Sequence, residues 1–196
     1  MFIAIEGIDG AGKTTLANGI YQLLSMEGYQ VYLTKEPTDD IDNYRGDAVE
    51  LFLKFTLNRY SHQFDLIDRI NSGYIVVCDR YIRSSYAYQF QGVKEFFGDE
   101  VKARLWMDEV SKIIKLRPDV HIYVDIDVAT AMQRVSRRGI RNLGFEDEEK
   151  LRQVRDIYES FQWDIKVDGH KDKKEMIEEA FSRLKPKIAN HHRIDI

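Results

Sequence analysis

Apolar and polar positions along the chain fall into two alternating kinds of run. Short, nearly uninterrupted apolar stretches occur at Phe2–Glu6, Gln30–Lys35, Tyr74–Asp79, Val120–Asp125 and Asp164–Val167. Runs of this length without polar alternation predict strands buried on both faces. Between them apolar residues recur every three or four positions, as in Leu16, Ile20, Leu23 and Leu24. That period predicts helices over about 13–25, 45–70, 99–116, 128–137, 147–162 and 172–188. Strands alternating with helices predict a three-layer α/β fold, with a five-stranded parallel sheet flanked by helices on both faces. In such sheets ligands bind beyond the carboxyl ends of the strands. No linker, repeat or low-complexity tract breaks the pattern, so residues 1–196 read as one domain.

The first strand runs directly into Gly7-Ile8-Asp9-Gly10-Ala11-Gly12-Lys13-Thr14, and a helical pattern follows through Thr15. This is the phosphate-binding loop pattern G-x-x-x-x-G-K-[ST] in its strand–loop–helix context. Its glycines let successive N–H groups turn inward around phosphate oxygens, where the positive end of the helix also points. Lys13 then reaches the β- and γ-phosphates, and the Thr14 hydroxyl is placed to ligate magnesium. The pattern predicts a bound nucleoside triphosphate. Two further chemical clusters also fall at strand ends: Lys35-Glu36-Pro37 after the second strand and Asp79-Arg80-Tyr81 after the third.

Composition narrows the picture without redirecting it. Hydrophobic residues make up 43% and charged residues 32%, values of an ordinary globular protein. The net charge of −4 gives no global field for a nucleic-acid backbone, so nucleic acid is not an expected partner. No apolar run approaches the roughly 20 residues that span a bilayer, and no charged leader precedes the first strand. The single cysteine, Cys78, sits in an apolar strand and reads as packed core. These features together predict a cytoplasmic protein. The polar end Asn190-His191-His192-Arg193 reads as a frayed terminus.

A phosphate loop alone serves switch GTPases, mechanical ATPases and small-molecule kinases. A guanine-reading Asn-Lys-x-Asp is lacking, and the chain shows no assembly surface of the mechanical kind. An acceptor region rich in arginines and aromatics is present between positions 35 and 92. The segment 134–150 places Arg134, Arg137, Arg138 and Arg141 ahead of an acidic helix start, with Gly139 and Gly144 between. Dipole matching explains that order; it also suits a short lid, about 138–147, whose arginines close over phosphates.

In these residues the chain resembles the thymidylate kinases, phosphate-loop enzymes that phosphorylate dTMP with ATP. The matching segments are 5–15, Thr34-Lys35-Glu36-Pro37, 51–62, Asp79-Arg80-Tyr81, Ser84-Ser85-Tyr86-Ala87-Tyr88-Gln89, and Arg117-Pro118-Asp119 leading into Tyr123-Val124-Asp125. Asp-Arg-Tyr followed by Ser-Ser-x-Ala-Tyr-Gln is the specific part, since many enzymes share the phosphate loop. The resemblance implies that Phe55 stacks on the base while Arg59, one helical turn on, donates to it. It implies that Arg80 bridges the acceptor phosphate and the incoming γ-phosphate, with Asp79 orienting it or holding magnesium-bound water. Asp9 is expected at the acceptor sugar and Lys35, with Pro37, at the acceptor phosphate, Lys35 standing where many relatives have arginine. Ser84, Ser85, Tyr88 and Gln89 look like a loop reading the base edge. With glycine at position 10, Arg137, Arg138 and Arg141 are expected to supply the lid's charge, and Phe145 to disfavour a ribose hydroxyl. Relatives of this kind are commonly homodimers. The rival readings are a kinase for another nucleotide or nucleoside, and a non-catalytic nucleotide-binding switch.

Overall fold

A computed structural model describes residues 1–40, 44–137 and 148–194. Five strands, β1 (Phe2–Glu6), β2 (Val31–Lys35), β3 (Ile75–Asp79), β4 (Val120–Asp125) and β5 (Ile165–Asp168), form one sheet in the order β2-β3-β1-β4-β5. Every pairing is parallel. The helices are α1 (Lys13–Met26), α2 (Ala48–Asn71), α3 (Ile82–Phe97), α4 (Glu100–Ser111), α5 (Val128–Arg137), α6 (Glu148–Glu159) and α7 (Lys173–Ile194). The three-layer architecture predicted from periodicity is the one observed.

Strand parity builds the two faces. Ile3, Ile5, Ile75 and Val77 pack with Leu16, Ile20 and Leu24 of α1 and with Ala180 and Leu184 of α7. Phe2, Ala4, Val76 and Cys78 point the other way, against Leu66 of α2, Tyr81 and Ile114. Phe52, Phe90, Val93, Ala103 and Met107 form a further core among α2, α3 and α4. Helices α2 and α3 cross so closely that a Cβ on Gly92 would stand 2.4 Å from the Ala48 Cβ.

Three elements depart from the sequence-based expectation. Residues 82–97, read as a loop, form α3. Its buried side carries Ser84, Ser85 and Gln89 beside Ala87, Phe90 and Val93, so the apolar 3.6-residue repeat is broken by polar groups turned inward. The helix expected over 99–116 stops at Ser111, because the N–H groups of Lys115 and Leu116 donate instead to Gln63 Oε1, at 2.8 and 3.4 Å. The polar end read as frayed continues α7 to Ile194.

The sheet order reverses at β1, whose neighbours are β3 and β4, and the crevice at this switch point lies beyond the carboxyl ends of β1 and β3. Register places Ile5 beside Asp79 and Lys35 beside Asp79. The loops after β1, β2 and β3 therefore emerge side by side.

Candidate active site

The loop between β1 and α1 is shaped by backbone that only glycine adopts freely. Gly10 and Gly12 have φ of 84° and 106°, and a Cβ on Gly10 would meet the Ala131 carbonyl oxygen of α5 at 2.4 Å. Lys13 opens α1 yet is 6% exposed, and its Nζ donates to the Ile8 carbonyl at 2.8 Å. Burial, reinforced by the charge of Arg80, pulls its pKa down to about 8. The Thr14 hydroxyl donates to Asp79 Oδ2 at 2.5 Å. Thr15 follows, half-buried in the first turn of α1.

Arg80 leaves β3 with φ 73°, a left-handed conformation that non-glycine residues avoid at about 1–3 kcal/mol. Neighbouring groups fix it: its N–H donates to the Ile5 carbonyl at 2.9 Å, and its carbonyl accepts from Cys78 Sγ at 3.0 Å. Cys78 itself is fully buried, and burial pushes its thiol pKa up. The Arg80 guanidinium donates to Asp9 Oδ1 at 2.5 Å, Ser84 Oγ at 3.1 Å and the Gly7 carbonyl at 3.4 Å. It also lies over the Tyr88 ring, 5.1 Å from its centre. The Tyr88 hydroxyl accepts the Asp9 N–H at 2.9 Å and donates to Asp9 Oδ2 at 3.1 Å. Burial works to raise the Asp9 pKa, but Arg80, Lys13 and the hydrogen bonds outweigh it and hold the carboxyl below its ordinary value.

A second knot sits behind β2. Arg59 of α2 is 2% exposed and donates to Glu36 Oε2 at 2.6 Å, Ser85 Oγ at 3.2 Å and the Tyr81 carbonyl at 3.2 Å. His62, three residues on, reaches Glu36 Oε1 at 3.2 Å and Thr34 Oγ1 at 3.1 Å. The Glu36–Pro37 peptide is cis. Phe55, on the same helix, is half-buried and stacks on Tyr44 with ring centres 4.5 Å apart.

One cavity of about 150 Å³ joins the loops. Asp9, Gly10, Gly12, Lys13, Thr14, Lys35, Glu36, Asp79 and Arg80 line it. Gly7, Ile8 and Ala11 lie in the same loop, outside that lining. Lys35 is exposed at the end of β2, and Pro37 follows two positions later. Ser84 and Ser85 both engage internal charges, Ser84 with Glu6 and Arg80 and Ser85 with Arg59. Gln89 is buried on α3 beneath this region, and its Oε1 has no partner among the described residues. Arg137 is exposed at the end of α5. Arg138, Arg141, Phe145 and the lid expected over 138–147 lie outside the described residues.

The sequence pattern gives a role to most of this lining but none to Glu36, nor to three residues behind it: His62, Glu6 and Tyr158 of α6, whose hydroxyl lies 2.8 Å from Ser84 Oγ. A weak signal exists for two of them. Glu36 stands between residues already singled out, and His62 follows Arg59 by three positions on a helix. Glu6 is a lone carboxylate ending an apolar strand.

Asp79 Oδ1 is buried and without a partner among the described residues, next to the Thr14 hydroxyl. A hard cation or its water takes oxygen donors of this kind, so the pair fits magnesium.

A glycine-bent phosphate loop at a sheet switch point, sharing one cavity with a strand-end arginine and a second basic side chain, defines a phosphate-loop nucleotide kinase of the α/β class. The chain belongs to the thymidylate kinase family, whose model matches residues 5–180. A probable thymidylate kinase of Thermoplasma acidophilum is 66% identical over 184 residues, spanning 94% of this chain and 95% of that protein. One of Thermoplasma volcanium is 53% identical over 188 residues, spanning 96% and 99%. One of Picrophilus torridus is 38% identical over 164 residues, spanning 80% and 77%.

Proposed function

We propose that this protein transfers the γ-phosphate of ATP to dTMP, giving dTDP and ADP. The observation that carries the reading is the shared cavity, in which Lys13 of the phosphate loop and Arg80 of the third strand end face the same space. Phosphoryl transfer asks little covalent chemistry of a protein, so positioning and charge at the moving group do most of the work.

On this reading the loop amides and Lys13 hold the donor's β- and γ-phosphates. Arg80 exchanges its bond to Asp9 for the acceptor phosphate, which Lys35 also approaches. An oxygen of that phosphate attacks the γ-phosphorus in line while ADP leaves. Asp9, released, is free to accept from the acceptor's 3′-hydroxyl. Thr14 and Asp79 would hold magnesium, which neutralises charge on the phosphates. Phe55 offers its ring to thymine once Tyr44 gives way, and Arg59, fixed by Glu36, reads a base carbonyl with Tyr88 and Gln89 nearby. Arg137, Arg138 and Arg141 would supply lid charge, and Phe145 would crowd a ribose 2′-hydroxyl. No helix among the described residues is long and apolar enough to cross a membrane, and one buried cysteine suits a reducing cytoplasm.

Helix α2 leaves Leu53, Leu57, Tyr60 and Phe64 exposed by 44, 65, 40 and 52% along one stripe. We infer that a second copy of the chain covers it. A continuous apolar helix face supports that reading, since monomers seldom leave one in water.

The deciding experiment is ADP release from ATP and magnesium with dTMP, dUMP, dCMP or dAMP added singly. Strong stimulation by dTMP and weak stimulation by dCMP and dAMP is expected. Measurable ATP binding with no stimulation by any monophosphate would end the kinase reading in favour of a nucleotide-binding switch.

A further inference from the structure

Glu6 ends β1 and is completely inaccessible. By parity it follows Phe2 and Ala4 onto the sheet face where β1 otherwise contributes only apolar atoms. A carboxylate in such a place is tolerated only when its oxygens are well partnered. Oε1 accepts the Tyr81 N–H at 3.0 Å. Oε2 accepts from the Ser84 hydroxyl at 2.5 Å, and the Tyr158 oxygen stands 3.3 Å from the same atom. Burial still raises the Glu6 pKa above its ordinary value, against the opposing Ser84 hydrogen bond and the charges of Arg80 and Arg59.

The proton inventory of Ser84 gives this cluster a direction. Its oxygen lies 2.5 Å from Glu6, 2.8 Å from the Tyr158 hydroxyl and 3.1 Å from Arg80 Nη1. A hydroxyl donates once and accepts twice. Arg80 only donates, so Ser84 accepts from Arg80 and, with Glu6 ionised, from Tyr158, and gives its own proton to Glu6. All three capacities are then filled, with Glu6 as the acceptor that sets the direction of the Ser84 and Tyr158 protons.

Glu6 also grips the chain at its most unusual point. Arg80 has the left-handed φ, and Glu6 Oε1 holds the N–H immediately after it. Side chain and backbone of Arg80 are thus both tied to one carboxylate. The Asp9 contact faces the cavity and is exchangeable for a phosphate, whereas Ser84 lies on the interior side and stays.

We propose that Glu6 is a positioning residue for Arg80, acting through the Ser84 hydroxyl and the Tyr81 main chain, with Tyr158 of α6 completing the relay. The assignment rests on the kinase reading above. An amide does not substitute for the carboxylate. With its oxygen toward Tyr81, glutamine turns its NH2 on Ser84, whose own proton must then turn to Tyr158, and the negative charge behind Arg80 is lost; reversed, its NH2 opposes the Tyr81 N–H.

The test is a double-mutant cycle on dTMP-dependent ADP release with Glu6→Gln, Arg80→Ala and the pair. Glu6→Gln should lower kcat about 10- to 100-fold while leaving the Kd of an ATP analogue within about threefold, the pattern of a lost transition-state interaction. In the Arg80→Ala background the same change should reduce the residual rate by less than about threefold, because residues acting as a unit are not additive. Ser84→Ala should repeat that pattern and carries the test if Glu6→Gln does not fold. Equal losses in both backgrounds, or a wild-type kcat for Glu6→Gln, overturn the assignment. A wild-type protein without dTMP-dependent ADP release overturns instead the kinase reading, and the assignment with it.

Discussion

Lys13 titrates near 8 because its amine is buried beside the Arg80 charge, so in mildly alkaline solution it is only partly charged before a ligand arrives. A phosphate chain supplies the missing counter-charge, raises that pKa and draws a proton from solution. ATP binding at pH 8 should therefore take up about half a proton, falling toward none by pH 7. Calorimetry in two buffers of different ionisation enthalpy measures this; a buffer-independent enthalpy at pH 8 would contradict it. Residues of this kind were legible in the sequence, since the loop spacing itself fixes which backbone and which lysine meet a phosphate. Glu36, His62, Glu6 and Tyr158 were not. Glu6 and Tyr158 are 152 positions apart, and what joins them is a buried hydrogen-bond cluster that no local spacing encodes.

Elements follow the same logic at larger scale. The buried strands and the helices with clean apolar stripes were read from periodicity, give or take a few residues. Helix α3 was not, because its inward face carries Ser84, Ser85 and Gln89. The polar groups that make it chemically useful also hide its period. The contact between the phosphate loop and α5 sets a second element-scale expectation. Gly10 combines a φ of 84° with a Cβ direction blocked by the Ala131 carbonyl. Gly10→Ala should destabilise the protein by about 1–3 kcal/mol through backbone strain. It should also weaken ATP binding, as loop and helix are forced apart. Thermal unfolding with and without ATP reads both effects, and unchanged values in both would show that the contact is slack.

For the whole molecule, the α2 stripe makes association the natural expectation. Leu57, 65% exposed near the middle of that stripe, is the position to charge. Leu57→Glu should convert a dimer to a monomer in sedimentation equilibrium, with far-UV circular dichroism unchanged; a wild-type protein already monomeric at tens of micromolar would dismiss the interface. Sequence marks such a stripe as apolar but does not distinguish a face turned to core from one turned outward, because both obey the same helical period. The cavity's own composition also bears on how ligands reach it. Lys13, Lys35 and Arg80 face Asp9, Glu36 and Asp79, three charges of each sign. Beyond a screening length of roughly 10 Å these nearly cancel, and a nucleotide polyanion feels little pull from the lining as it approaches. Capture should then gain little from electrostatic steering by this lining and depend little on ionic strength. On the proposed reading, discrimination begins after arrival, when the acceptor phosphate competes with Asp9 for Arg80. In the resting site Arg80 is paired with Asp9, and recognition on that reading is an exchange of that partner.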